Sequence, residues 1–96
     1  MRIRFTRVAQ KQFLGQLRFI HAESPRAAVR LRSRAQAVLE WLGSFPDSGR
    51  RLPELPLLPH REVVVPPHRF LSRVQGKTIW IMAVWHAAQI PGPPKP

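Results

Sequence analysis

Ninety-six residues allow one domain with a single modest core. Sixteen Lys and Arg against five Asp and Glu give a net charge of +11, mostly as arginine, so an anionic partner is expected: nucleic acid, the ribosome or an acidic protein segment. The absence of cysteine excludes disulfides, thiolate zinc sites and Cys nucleophiles, and no apolar run approaches the ~18 residues that would span a bilayer.

Arg2 to Thr6 alternates with period two, setting Ile3 and Phe5 against Arg2 and Arg4, the pattern of a short half-buried strand. An alternating start is not a signal segment, so a cytoplasmic protein with no membrane partner is the expectation. Thr6 can cap a helix over Arg7 to Ala22, although Ala9 at the third position leaves no capping box. Its inner face is Ala9, Phe13, Leu17 and Ile20, with Leu14 beside them; Gly15 weakens it unless backbone packs closely there.

Ser24 and Pro25 break the chain, Pro25 opening a second helix with Ser24 as its cap. That helix runs to about Leu42, with Ala28, Leu31, Ala35, Val38, Leu39 and Leu42 facing inward and Gly43 as its stop. Arg26, Arg30 and Arg34 form an exposed stripe, either a solvated face or a hold for carboxylates. Ser44 to Pro59, punctuated by Pro46, Pro53, Pro56 and Pro59, reads as a long surface-wrapping loop.

Strands follow over His60 to Val65, His68 to Gln75 and Lys77 to Trp85, the last two joined by a turn at Gln75 and Gly76. The last strand is apolar on both faces, Ile79, Ile81 and Ala83 on one and Trp80, Met82 and Val84 on the other, and belongs inside a sheet. Core packing is expected for Trp41 and Trp80, while Trp85 is open to a contact role. Residues 1–89 therefore form one α+β domain, with 90–96 a disordered proline-rich tail. A two-helix hairpin should pack on a mainly antiparallel sheet of about four strands.

The order of these elements, together with several short phrases, resembles the RelE/ParE toxin superfamily of type II toxin–antitoxin systems. The phrases are Ser24-Pro25-Arg26-Ala27-Ala28, Phe45-Pro46-Asp47-Ser48-Gly49-Arg50, the pair Arg61-Glu62, and Val84-Trp85-His86. The resemblance covers Arg2 to about Gln89 and is closer to the ParE branch. It departs at Ser72, where the family usually carries Tyr; this chain has no tyrosine at all.

What the resemblance implies is a toxin neutralised by a cognate acidic antitoxin. RelE-like members cleave messenger RNA on the ribosome without a metal, using cationic strand residues to hold the scissile phosphate. Laid on that pattern, this chain has Glu62 and Val64 at two positions that should be cationic, and Ala87 at a third; Arg69 alone is kept. The implied activity is therefore that of ParE-like members, which inhibit DNA gyrase without covalent chemistry and need no cofactor. Arg50, Arg51, Arg61, Arg69 and Arg73 are the expected target-binding residues. Arg26, Arg30, Arg34 and Trp85 are those for the antitoxin. Under the alternative, a ribosome-dependent endonuclease acting on messenger RNA, the catalytic residues would be Arg61, Arg69, Arg73 and His86. His86 would be either a base that titrates near neutrality or a hydrogen-bonding residue of the sheet. Four scattered histidines without carboxylate or Cys spacing argue against a metal site.

Overall fold

The computed structural model describes residues 1–87, so the expected disorder of 90–96 lies outside the described residues. Strand β1 (Arg2–Phe5) leads through Thr6 into helix α1 (Arg7–Glu23). The Thr6 hydroxyl accepts from the Ala9 N–H at 3.1 Å, satisfying one donor that the first helical turn leaves unpaired. Ser24 caps helix α2 (Pro25–Ser44) in the same way, accepting from Ala27 N–H at 3.1 Å, with Pro25 in the first turn where no N–H is needed.

Helix α2 runs past its expected stop. Gly43 lies inside it, and its carbonyl accepts from the Met1 ammonium at 2.6 Å. A Cβ on Gly43 would sit 3.0 Å from the Met1 carbonyl oxygen, so this glycine permits close approach rather than ending the helix. Gly15 behaves oppositely to expectation: nothing lies within 4 Å of where its Cβ would be. No close packing explains it.

The rest of the sheet is β2 (Arg50–Arg51), β3 (Arg61–Val65), β4 (His68–Gln75) and β5 (Thr78–His86). Its five strands are ordered β1-β5-β4-β3-β2, with β1 parallel to β5 and the other pairs antiparallel. The fifth strand is β2, two residues within the stretch expected to be loop, paired through Arg50 with Glu62 and through Arg51 with Arg61. As expected, β5 is internal. Among the described residues no helix is long and apolar enough to cross a membrane.

The main core lies between the helices and one sheet face. Leu31, Ala35, Leu39 and Leu42 of α2 and Ala9 of α1 meet Phe70, Val65, Ile79, Ile81 and Val84. Phe5 and Phe13 each meet Phe70 edge-on, with centroids 6.4 and 5.3 Å away. The alternation expected for β5 fails beyond Ile81. Leu71 pairs with Ala83 but Ser72 pairs with Ile81, so Met82 is an extra residue that forms a bulge. Val84 therefore returns to the helix face, and Ala83 joins Leu71 and Leu52 on the other. The Gln12 side chain of α1 accepts from the Val84 N–H at 2.7 Å, tying the helix to the strand just past the bulge.

The proline-rich stretch does wrap the surface. It crosses the sheet face that the helices leave bare, setting Leu52 and Leu55 on Leu71, Ala83, Met82 and Trp85. Neither Trp41 nor Trp80 joins the core. Trp41 is 58% exposed and meets the Phe45 ring at a tilt, with centroids 4.4 Å apart, because the helix turns it just outside the inner stripe of Val38 and Leu42.

Candidate functional site

Two features of the surface stand out first: the arginines around β3 and β4, and an apolar groove beside β1. The first begins with the alternation of β3. Glu62 points away from the helices and is 1% exposed; Arg69, diagonal to it across the β3–β4 pair, is 5% exposed. The Arg69 Nε donates to Glu62 Oε2 at 2.6 Å, while its two terminal nitrogens grip the Glu54 carboxylate at 2.8 and 2.9 Å. Arg50, reaching in from β2, donates to the other Glu62 oxygen at 2.6 Å. Bidentate forks of this kind are the strongest charge-assisted contacts that arginine makes. The Arg69 guanidinium holds the Glu54 carboxyl down to about 2, and its own acidity is weakened in turn. This network bolts the proline-rich strap to the sheet.

The five expected target-binding arginines are not gathered on one surface. Arg69 is internal, and its fork is committed to carboxylates. The Arg50 side chain is 62% exposed, with its Nε bound to Glu62. Arg51 and Arg61 face each other across β2 and β3, and each is turned to loop carbonyls: Arg51 to Leu58 at 3.3 Å and Arg61 to Gly49 at 2.8 Å. Arg73 is exposed and takes part in no ion pair among the described residues. Arg61 and Arg73 line a cleft of about 280 Å³ with Ser72 and Asp47.

His86 sits at the end of β5, opposite His68, their rings edge-on at 5.9 Å. His68 is buried; its Nε2 meets the Gln16 side-chain oxygen at 3.1 Å, and its Nδ1 is unpaired. Burial, then the neighbouring His86 and Arg34, push its pKa below the ordinary histidine value. Arg61 and Arg73 share one cleft, whereas Arg69 is held in the buried carboxylate network and His86 lies at the far end of β5, so the four do not surround one point. Among the described residues no three His, Asp or Glu side chains are grouped to hold a metal.

Of the expected antitoxin contacts, Arg26 and Arg30 are exposed on α2, and Arg34 donates to the Pro66 carbonyl at 3.1 Å. Trp85 is half-buried under the strap. The second feature was absent from that reading. Where α1 and α2 splay over the edge strand β1, they leave a groove of about 1010 Å³. Ile3, Phe5, Phe13, Leu14, Leu17, Ala35 and Leu39 line it, and Arg32, Gln36 and Glu40 form its rim. Its one sequence signal was Leu14, an apolar residue just outside the inner stripe of α1. Glu54 was also missed, since an acid in a proline-rich loop gives no hint of the arginine it will meet.

Residues 3–91 match the family described as "ParE toxin of type II toxin-antitoxin system, parDE". No curated protein matches the chain.

Proposed function

Because the chain belongs to the ParE toxin family of type II toxin–antitoxin systems, we propose that it inhibits DNA gyrase without covalent chemistry and is silenced by a cognate antitoxin. The observation that carries the choice of target is the Glu62–Arg69–Glu54 network. A metal-independent endonuclease needs unpaired cations grouped around a scissile phosphate. At the corresponding strand positions this chain has a buried carboxylate, Val64, and an arginine whose fork is filled. Phosphate would have to displace two carboxylates from Arg69 and then lie against Glu62.

The groove beside β1 supports the second half of the proposal. Its apolar floor suits the apolar face of an amphipathic antitoxin segment, and a chain of net charge +11 favours an acidic one. The segment would order as it binds, burying the groove at a cost in conformational entropy. Purified toxin titrated into a supercoiling assay with gyrase and relaxed plasmid tests the target. Concentration-dependent loss of supercoiling, with messenger RNA left intact on translating ribosomes, is expected; intact supercoiling with cleaved messenger RNA would overturn the reading.

A further inference from the structure

The strap covers only half of the bare sheet face. At the other half, pairing places Arg4 of β1 opposite Trp80 of β5, and Trp80 opposite Arg73 of β4. Directly paired residues share a face, so the row Arg4–Trp80–Arg73 crosses three adjacent strands on the side away from the helices. Both arginines are exposed, and neither forms an ion pair among the described residues. Trp80 is half-buried and belongs to neither hydrophobic cluster. The next row, Arg2–Thr78–Gln75, is polar and basic, and Lys77 is exposed in the adjoining turn. The two carboxylates on this face, Glu54 and Glu62, are held by Arg50 and Arg69 at the strap end; Asp47 and Arg73 both line the cleft beside it, and no ion pair joins them among the described residues.

We propose that this open half of the sheet binds single-stranded nucleic acid, with Trp80 stacking on an unpaired base and Arg4 and Arg73 gripping the phosphates on either side. An indole flanked by two cations meets the two recurring needs of such a strand, a π face for the base and charge for the backbone. An acidic peptide would use the arginines but leave the indole without a matching group. This surface is separate from the groove beside β1 and from the buried network, and it does not depend on the identity of the toxin's target.

Fluorescence anisotropy of labelled oligo(dT) and oligo(U) with the full-length chain tests it. Trp80→Ala should weaken binding about tenfold or more, and Trp80→Phe should retain most of it. Arg4→Ala/Arg73→Ala should weaken binding and reduce the salt slope by about 1.4, two phosphates at ~0.7 each for a single strand. Lys11→Ala/Arg18→Ala, which removes the same charge from exposed positions of α1, should leave that slope unchanged. Tighter binding of one oligonucleotide identifies DNA or RNA as the source of the strand. An equal loss from the α1 double variant would overturn the proposal, as would wild-type affinity in both Trp80 variants. So would competition by poly-glutamate as effective as by unlabelled oligonucleotide. If the Ala variant does not fold, the Arg4→Ala/Arg73→Ala variant keeps the test decisive, since an unchanged affinity and salt slope there would overturn the proposal.

Discussion

Glu62 shows how a residue's meaning changes with its neighbours. In the sequence it is a carboxylate where a nuclease would want a cation. In the fold it is the buried hub that joins Arg50 to Arg69, and through Arg69 to Glu54. Breaking a buried pair from one side strands the other charge, so Glu62→Ala should lower stability by about 3–5 kcal/mol, read as a shift in urea midpoint. The two buried histidines predict a pH dependence. His68 and His60 both have pKa values lowered in the fold, chiefly by burial, with His86 and Arg34 adding to the first and Arg73 to the second. The unfolded chain therefore binds protons first as pH falls. Their contribution is complete above the ordinary histidine pKa and is lost as pH drops below it. Thermal midpoints should fall between about pH 7 and pH 5, and His60→Gln/His68→Gln should flatten that slope. An unchanged slope in the double variant would assign the dependence elsewhere.

The helices and four of the strands were legible because caps, proline boundaries and alternation all act over a few residues. Thr6, Ser24 and Pro25 mark their helix starts in the chain, and the structure uses each as marked. What could not be read depends on partners far along the chain. The two-residue β2 exists only because β3 offers its edge, and the bulge at Met82 is visible only in the pairing with Leu71 and Ser72. The surface was legible only in part, because an arginine's sequence position does not say whether a carboxylate will fill its fork. The two helical glycines separate local from distant causes. Gly15→Ala meets nothing and should raise stability by about 1 kcal/mol, the ordinary helix preference. Gly43→Ala crowds the Met1 carbonyl at 3.0 Å and should forfeit that gain or reverse it. Paired thermal melts check both.

At the scale of the molecule, the sheet has one face under the helices and the other divided between a strap and an open basic row. The groove beside β1 is a third surface, and the three can be tested apart. Leu14→Glu puts a charge on the groove lining at an already exposed position, so under the proposed function it should leave the fold and the inhibition of gyrase intact while weakening neutralisation by the antitoxin. Growth assays with and without the antitoxin would show it; full neutralisation of the variant would move the antitoxin off the groove. The most direct test of the account is to induce the chain alone in bacteria and follow a DNA-damage reporter alongside messenger RNA integrity. Early induction of the reporter with transcripts intact is the expected result. Prompt transcript cleavage and translation arrest, with the reporter silent, would contradict it.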